Sequence, residues 1–387
     1  MNKLLQKITG ASAAILAAGL AATPVCAAGG TTYAPVNGAS TTFTKTIKMR
    51  STAKVPNVTF KYAVAAGTAQ AASDGNLAVL AGNDTVTSTG LPTIKDVTFT
   101  ANDEKSGDGT SVTKTATVDF SKVSYKEPGV YRYVITESGT VQGLSTTEDQ
   151  TKALDVYVTD VGGVLKVSAY VMHNNETAAA KQLSGADGAV KLDDKDVDFE
   201  HTLTTSDVTL SKKVTGNQGS RDEYFQFTVN IKNAEPGTQF IVDLANAEKE
   251  TKTNGVNTTA HTNPELLTAD EHGAITQDFW IQNGQSIKIQ GLAGSTGYTV
   301  TEAENAYKTN IALTGDTTNE AENDIKAVPA KTVTDKAVTA DTTVAYTNDK
   351  SGAVPTGLIM SIGGPAAIAL LGGVGLVTIK AKKKEEE

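Results

Sequence analysis

Apolar and polar residues alternate in short runs along most of the chain, as in strands that bury one face. The runs are rich in Val, Thr, Tyr and Phe, and Gly, Asn, Asp and Ser separate them. We expect strands at Thr42–Met49, Val58–Val64, Val97–Thr100, Thr115–Phe120, Val130–Glu137, Leu154–Thr159, Leu165–Met172, Val208–Val214, Tyr224–Ile231, Gln239–Val242, Ile275–Ile281, Ser286–Ile289, Tyr298–Glu302 and Thr342–Thr347. Few stretches have a helical period, so the pattern predicts an all-β protein of sandwich domains.

The pattern begins a second time near Thr202–Ser206, which indicates an internal repeat. TFTKTI (42–47) parallels TLSKKV (209–214), and YVITE (133–137) parallels YTVTE (298–302). We therefore expect two tandem β-sandwich domains, at residues 29–203 and 204–350. Stretches rich in Gly, Ala, Asn and Thr are predicted to be long loops or insertions: Ala66–Thr93, Glu176–Ala189, Lys249–Pro264 and Thr314–Thr332.

The first 28 residues have the pattern of a secretory signal peptide. Lys3 and Lys7 precede an apolar run at Ile15–Val25, and small residues surround Cys26. The run is too short to span a membrane. Lipidation of Cys26 is a weaker alternative, because the residues before it do not fit the usual lipoprotein pattern. Cleavage after Ala27 or Ala28 leaves an exported chain that has no cysteine and hence no disulfide.

The C-terminal end has the pattern of a membrane anchor. Leu358–Ile379 carries no charge and would span roughly 33 Å as a helix. Residues 380–387 form a charged tail that begins with lysines, and the positive-inside rule puts this tail in the cytoplasm. The precursor is therefore predicted to be a single-pass membrane protein whose preceding domains are outside the cell.

Composition and motifs argue against several classes of function. The formal net charge is −9 and no basic stripe alternates with aromatic residues, so we expect no binding to nucleic acid. Four dispersed histidines and one cysteine match no metal-site spacing, and the acidic run Asp193–Asp198 lacks the glycine and glutamate of an EF-hand. No hydrolase, metalloprotease or P-loop motif occurs. We therefore predict no cofactor, no metal and no enzymatic turnover.

The residues AVPTG (353–357) directly precede the apolar span and the basic tail. This order resembles the sorting signal of Gram-positive surface proteins, which is usually LPxTG. The resemblance implies that Val354, Pro355, Thr356 and Gly357 form the signal. A sortase would then cut between Thr356 and Gly357 and join the Thr356 carboxyl group to an amine. The alternative is a plain membrane anchor in which the PTG turn occurs by chance.

Several further motifs occur in a fixed order between residues 41 and 387. They include the lysine strands of both repeats, KEPGVYRY (126–133), the two TE strands, KKVTG (212–216) and YTN (346–348) before the sorting signal. Together they resemble the FctA-type backbone pilins of Gram-positive bacteria. The resemblance implies tandem Ig-like (CnaB/FctA-type) domains and a structural subunit of a covalent, cell-wall-anchored pilus. The implied partners are sortase, other pilin subunits, peptidoglycan and host surface ligands.

In that family, Lys and Asn on neighbouring strands form a spontaneous amide (isopeptide) cross-link with the help of Glu. The resemblance assigns Lys212 as nucleophile, Asn348 as acceptor and Glu302 as proton relay. The chemistry is consistent, because burial favours the neutral form of an amine and the protonated form of a carboxyl group, while folding holds the reacting groups in contact. The alternative is that Lys212 and Glu302 form a solvated ion pair.

Domain 1 departs from the pattern at the acceptor. Lys45 and Glu137 match the nucleophile and the relay, but the acceptor position is His201, and an imidazole has no acyl carbon. Asp198 is three residues away, so a regular strand directs it to the other face. We predict a vestigial site without a cross-link, unless a bulge brings Asp198 into reach. His201 either pairs with Glu137 or occupies a core or edge position.

The lysine that would accept the next subunit is not apparent from the motifs. The family places it late in domain 1, where residues 170–175 contain no lysine. Lys181 and then Lys191 are the nearest candidates. The missing acceptor motif leaves two alternatives to a backbone pilin: a monomeric wall-anchored adhesin that binds host protein or glycan, and a minor pilin.

Overall fold

The alternating runs fold as strands throughout the part of the chain that the structure describes. The computed structural model describes residues 40–353 except 74, 147–149, 181–197, 245–249, 254–255, 261–263, 316–319, 322–331 and 336. These residues form strands and loops without any helix. The prediction of an all-β fold is therefore confirmed, and each strand predicted above overlaps an observed one.

Residues 40–203 form the first unit, here called domain 1. Its strands are β1 (Ser40–Met49), β2 (Val58–Ala66), β3 (Val79–Ala81), β4 (Ser88–Thr89), β5 (Thr93–Ile94), β6 (Val97–Phe99), β7 (Ser111–Asp119), β8 (Ser124–Tyr125), β9 (Gly129–Ser138), β10 (Leu144–Thr146), β11 (Thr151–Asp160), β12 (Leu165–His173) and β13 (Asp198–Leu203). One sheet has the order β10-β13-β1-β7-β5, and the facing sheet has the order β12-β11-β9-β2-β6 with β3 beside β9. Strands β4 and β8 form a separate short pair.

Residues 205–353 form domain 2. Its strands are β14 (Thr205–Thr215), β15 (Phe225–Lys232), β16 (Gln239–Asp243), β17 (Glu250–Thr253), β18 (Val256–Ala260), β19 (Glu265–Thr268), β20 (Ile275–Ile281), β21 (Ser286–Ala293), β22 (Gly297–Glu302), β23 (Lys308–Thr314), β24 (Glu320–Ala321), β25 (Thr332–Asp335) and β26 (Thr342–Asp349). The two main sheets have the orders β19-β16-β21-β14-β26-β23 and β20-β15-β22-β25-β24. Strands β17 and β18 form a separate hairpin.

The two domains share one central arrangement. In domain 1, β1 lies between β13, which is parallel to it, and β7, which is antiparallel. In domain 2, β14 lies in the same way between β26 and β21. The glutamate strands β9 and β22 belong to the opposite sheets. The first and last strands of each domain are therefore direct neighbours, although more than a hundred residues separate them in sequence.

Each domain buries one core between its two sheets. Val, Ile, Leu and Ala make up most of both cores, as a sequence with only 5% aromatic residues requires. All nine Phe residues are buried with them: Phe43, Phe60, Phe99, Phe120, Phe199, Phe225, Phe227, Phe240 and Phe279. Each buried ring removes a large apolar area from water.

Three of the stretches predicted to be loops contain short strands. Strands β3 and β4 lie within Ala66–Thr93, the β17–β18 hairpin lies within Lys249–Pro264, and β24 lies within Thr314–Thr332. These short strands pair with neighbours from elsewhere or with each other, so their own composition gave no clear period. Strand β13 was also missed, because polar residues flank its buried Phe199 and His201.

Only Thr204 separates β13 from β14 at the domain junction. Its amide donates a hydrogen bond to the Gly143 carbonyl at 2.8 Å. The Arg50 guanidinium, at the end of β1, donates to both carboxylate oxygens of Asp341 in domain 2, at 2.7 and 3.0 Å. The two sandwiches are thus connected by a short link and by an ion pair between side chains.

Both ends of the chain lie outside the described residues. The predicted signal peptide, sorting signal, transmembrane helix and charged tail therefore remain predictions. Within the described ranges, no helix has the length and apolar character needed to cross a membrane.

Candidate functional sites

Three buried polar side chains meet between the sheets of domain 2. Lys212 on β14 is 2% exposed, Glu302 on β22 is 1% exposed and Asn348 on β26 is fully buried. The Lys212 amine donates a hydrogen bond to Oε1 of Glu302. The Asn348 amide donates to the same oxygen at 2.7 Å. Amine and amide are thus held side by side on one carboxylate oxygen, and the alternative of a solvated Lys212–Glu302 pair is wrong.

Strand register produces this meeting. In the parallel pair of β14 and β26, Lys212 lies opposite Tyr346, and Asn348 follows two residues later. A strand directs every second side chain to the same face, so Asn348 points into the core with Tyr346. Lys213, the residue after Lys212, points outward and is exposed. The antiparallel pair of β15 and β22 brings Glu302 to the facing sheet, opposite Phe227.

The surroundings of Lys212 make its neutral form more accessible than that of an ordinary, exposed lysine. Its Nζ lies 4.0 Å from the centre of the Phe225 ring and 5.5 Å from that of Phe227. Burial lowers the pKa of Lys212, the charge of Glu302 partly opposes this effect, and the result is a pKa of about 8. At pH 7 roughly one tenth of the molecules would therefore carry a neutral, nucleophilic amine at this position.

The carbonyl oxygen of the Asn348 amide has different surroundings from its nitrogen. Oδ1 of Asn348 is buried and accepts no hydrogen bond from the described residues. The second oxygen of Glu302 accepts a hydrogen bond from Thr309 at 3.3 Å. Thr309 was not singled out in the sequence, because its strand β23 was not predicted. Chemically, the site can bring a neutral amine, an amide carbonyl and a proton-carrying carboxylate together in a dry environment.

Domain 1 has a site of the same geometry, with a histidine at the position of the acceptor asparagine. Lys45 lies opposite Phe199 in the parallel β1–β13 pair, and His201 follows two residues later, as Asn348 follows Tyr346. Lys45 is fully buried, Glu137 is 2% exposed and His201 is 3% exposed. Oε1 of Glu137 accepts from Lys45 at 2.8 Å and lies 2.5 Å from Nε2 of His201.

These three groups form a closed ionic cluster. The Phe60 ring lies 4.0 Å from the Lys45 amine and stacks on His201 with ring centres 5.1 Å apart. Burial raises the pKa of Glu137, but the hydrogen bonds from His201 and Lys45 outweigh burial and hold that pKa below its ordinary value. Glu137 is therefore ionised in the folded protein, and it faces an amine and an imidazole instead of an amine and an amide.

Asp198 does not reach the domain 1 cluster. The β1–β13 register has no shift, and Asp198 pairs with Thr44, the residue next to Lys45. Its side chain belongs to the face that points away from Lys45. The other candidates, Lys181, Lys191 and residues 354–357, lie outside the described residues.

A second buried ionic cluster in domain 1 was missed in the sequence. Arg132 on β9 and Asp155 on β11 are opposite each other, and both are fully buried. The guanidinium forms two hydrogen bonds to the carboxylate, both 2.7 Å long, and His173 lies 3.0 Å from the same carboxylate. The signal was present in the sequence, because Arg132 and Asp155 each interrupt a run of mostly apolar residues, GVYRYVI (129–135) and ALDVYV (153–158).

The Arg132 cluster also binds the backbone that follows β12. Arg132 donates to the carbonyls of Glu176 and Ala178, the latter at 2.7 Å. Burial alone would raise the pKa of Asp155, but hydrogen bonds from Arg132 and His173 hold it below its ordinary value. This cluster therefore attaches a loop to the sheet. Among the described residues, no group of three or more His, Cys, Asp or Glu side chains has the arrangement of a metal site.

Comparison with known proteins agrees with the all-β fold. Residues 41–184 match the FctA family, described as the Spy0128-like isopeptide containing domain. Over this range the chain is similar to that family. Residues 206–350 match a domain of unknown function, DUF7601. The predicted family resemblance is thus confirmed for domain 1 by the match to its family model.

Relatives extend the likeness over both domains. A pilin from Streptococcus pyogenes serotype M1 is 28% identical over 358 residues, covering 90% of this chain and 92% of the relative. The crystal structure of the major pilin from S. pyogenes superposes with a TM-score of 0.50 at 25% identity, covering 82% of this chain and all of that one. The chain is a structural subunit of a pilus at the cell surface.

Proposed function

We propose that this chain is the major, or backbone, subunit of a covalent pilus on a Gram-positive cell. The sorting-signal pattern at residues 353–357 and the pilin relatives support this role. A sortase would break the Thr356–Gly357 peptide bond and join the Thr356 carbonyl to a lysine ε-amine of another subunit. Gly357 would leave with a free amine. The last subunit would be transferred to peptidoglycan, and the membrane-anchored precursor would become a wall-anchored fibre.

The acceptor lysine in this proposal is Lys181 or Lys191. Both follow Ala180, whose carbonyl accepts a hydrogen bond from the Leu77 amide at 2.8 Å. The Arg132 cluster attaches the preceding residues to the sheet. Lys181 directly follows this attachment point and would transmit tension to a folded domain, whereas Lys191 is eleven residues beyond Ala180.

Within domain 2 we propose an isopeptide bond between Lys212 and Asn348. The neutral Lys212 amine would attack Cγ of Asn348, and a C–N bond would form as the bond to the amide nitrogen breaks. Glu302 would take a proton from the attacking amine and deliver it to the leaving ammonia. The observation that carries this proposal is that amine and amide both bind Oε1 of Glu302 in a buried site.

This reaction would happen once per molecule and has no substrate to release. Its product would join the first and last strands of domain 2 and close a loop of more than a hundred residues. A disulfide closing a loop of that length stabilises by about 4–5 kcal/mol in the chain-entropy model. The gain suits a subunit that is pulled from its ends, and it gives the site a structural role without turnover.

Domain 1 would remain without a cross-link. His201 has no acyl carbon, and Asp198 lies on the other face. The strands β1 and β13 would be held by the Lys45–Glu137–His201 cluster and by their backbone hydrogen bonds.

Intact mass of the recombinant segment 29–356 tests the cross-link. The expected mass is that of the sequence minus one ammonia. Lys212→Ala, Glu302→Ala and Asn348→Ala should each restore the full sequence mass, whereas the control Lys213→Ala changes an exposed neighbour and should still lose one ammonia. A full-mass wild-type protein that is folded would contradict the Lys212–Asn348 bond. Loss of a second ammonia or of one water would contradict the proposal for domain 1.

A denaturing blot of wall extracts from the native organism tests the polymer. We expect a high-mass ladder that survives boiling, and peptide mapping across Thr356 should identify Lys181 or Lys191 as its partner. Substitution of that lysine by Arg should collapse the ladder, while the Arg variant of the other lysine serves as the control. A single band near the monomer mass would contradict a backbone role.

A further inference from the structure

A second set of contacts, separate from the Lys212 site, joins the turn after β14 to the residues that follow β26. The Asn217 side chain lies in the turn after β14 and binds Gly352 on both of its backbone groups. Its Nδ2 donates to the Gly352 carbonyl at 2.9 Å, and its Oδ1 accepts from the Gly352 amide at 2.9 Å. One side chain thus imitates the two hydrogen bonds of a neighbouring strand, three residues after β26 has ended.

The turn itself is shaped around the same segment. The Lys350 amide donates to the Thr215 carbonyl at 3.1 Å, and the Gln218 amide donates to the Lys350 carbonyl at 2.9 Å. Gly216 has a φ of 88°, and a Cβ at this position would lie 2.3 Å from the Lys350 carbonyl oxygen. Only glycine allows this left-handed, close approach. Residues 215–218 and 350–352 are therefore fitted to each other, and we call this arrangement the clasp.

Side chains add to the clasp. The Lys350 ammonium lies 5.1 Å from the centre of the Tyr307 ring, within the range of a cation–π contact. Asp349 accepts hydrogen bonds from Thr215 at 2.8 Å and from Ser351 at 3.2 Å. The chain beyond β26 is consequently held residue by residue up to Gly352.

The clasp lies directly before the predicted sorting signal in the sequence. Gly352 is the residue immediately before the pentapeptide at 353–357. An extended chain covers about 3.4 Å per residue, so Thr356 can lie no more than about 14 Å from the clasped glycine. If the clasp opened back to Asp349, the free tether would lengthen to about 24 Å.

We propose that Asn217 is a positioning residue for subunit joining: it fixes the point and direction at which the pentapeptide leaves domain 2, so that the link to the next copy of this chain is short and stiff. This inference rests on the proposed function, in which Thr356 is the joined residue. The clasp does not take part in the covalent step. It limits the angles that two joined subunits can adopt.

The test compares Asn217→Ala with the matched control Asn230→Ala in the full chain, expressed in the producing organism. Asn230 also uses its side-chain amide, accepting from Thr276 at 2.7 Å, but it lies within β15 and away from the clasp. Electron microscopy of isolated fibres gives the distribution of angles between successive subunits. We expect this distribution to widen in Asn217→Ala and to stay at the wild-type width in Asn230→Ala. Equal widths would overturn the proposal.

A second measurement reports on the clasp without polymer. Exchange of the Gly352 amide hydrogen should be roughly 2- to 10-fold faster in Asn217→Ala, which is the effect of losing one hydrogen bond of ordinary net strength. Asn217→Asp keeps the acceptor for that amide and should exchange at nearly the wild-type rate, although its fibres should still bend more. Unchanged exchange in Asn217→Ala would contradict the clasp itself. Absence of any ladder in the wild type would instead contradict the proposed function.

Discussion

At the scale of single residues, the two sites differ at one position of a shared geometry. Lys212 and Lys45 each lie on the central first strand, and each donates to a buried glutamate on the facing sheet. Asn348 and His201 occupy equivalent register positions on the last strand. The amide offers a carbonyl carbon and a leaving group, and the imidazole offers neither. The side chain at this one position therefore decides whether the lysine can form an amide bond there.

This equivalence predicts that His201→Asn will create a second cross-link. The new amide would lie beside Lys45 and Glu137, in a site that already excludes water. We expect the mass of the segment 29–356 to fall by one further ammonia, and Lys45→Ala in the same chain should abolish that loss. A His201→Asn protein that folds but keeps the wild-type mass would show that register and burial alone are insufficient.

The pKa of Lys212 predicts a dependence of stability on pH. In Asn348→Ala the lysine stays free, and its folded pKa of about 8 lies below the ordinary lysine pKa of 10.5. Between these values the unfolded chain binds more protons than the folded one, so stability rises with pH. The rise should reach about 3 kcal/mol between pH 8 and 10.5.

Urea unfolding can measure this rise through Trp280, the single tryptophan, which lies in β20 of domain 2. The reference protein carries Lys212→Met together with Asn348→Ala, so that other titrating groups cancel in the difference. If the difference in the free energy of unfolding between the two proteins does not change with pH, Lys212 stays protonated in the folded state.

At the scale of elements, strand pairing decides which charges can be buried. Arg132 and Asp155 lie in adjacent strands at directly opposite positions, and each is fully enclosed. Desolvation makes such a pair a poor source of net stability, but the loss of one partner leaves an uncompensated charge. The pair therefore commits β9 and β11 to one register and connects them to the loop that follows β12.

We predict that Asp155→Ala destabilises domain 1 by about 3–5 kcal/mol, because Arg132 remains buried and unpaired. The double variant Arg132→Met, Asp155→Leu should recover most of that loss. Calorimetry should show the change in the domain 1 transition, while unfolding followed through Trp280 should stay as in the wild type. A single variant that is as stable as the double one would contradict this account.

The period of two along the sequence predicted several of the long strands. Strands β1, β2, β15 and β22 alternate regularly and were predicted from the period of two. Shorter strands such as β3, β10 and β24 have two or three residues, which is too few to show a period. Their partners, and not their own side chains, determine that they are extended.

At the scale of the whole molecule, the junction sets how the two sandwiches are arranged. Arg50 donates to Asp341 and to the Thr205 carbonyl, and it lies 3.6 Å from Asp207. The hydrogen bond from Arg50 lowers the pKa of Asp341 below its ordinary value. Asp207 also pairs with Lys288 at 2.8 Å. Together with the one-residue link at Thr204, this network restricts bending between domains.

We predict that Arg50→Ala widens the distribution of distances between the domains but changes the stability of each domain by less than about 1 kcal/mol, since the pair is partly exposed. Because the segment 29–356 contains no cysteine, spin labels can be attached to one introduced cysteine in each domain. Arg221→Ala, an exposed arginine in domain 2, is the matched control. An unchanged distance distribution would assign the rigidity to Thr204 and its neighbours.

The all-β class, the FctA resemblance of domain 1 and the residue types available to each site could all be predicted from the amino-acid sequence. Those properties rest on alternation and short motifs, which are local and can be counted along the chain. Three contacts became apparent only in the folded chain: Lys212 and Asn348 share one carboxylate oxygen, Arg132 lies opposite Asp155, and Asn217 binds Gly352. Each of these contacts depends on the register or packing of segments that are distant in sequence, and the pattern within one strand carries no information about the register of its partner.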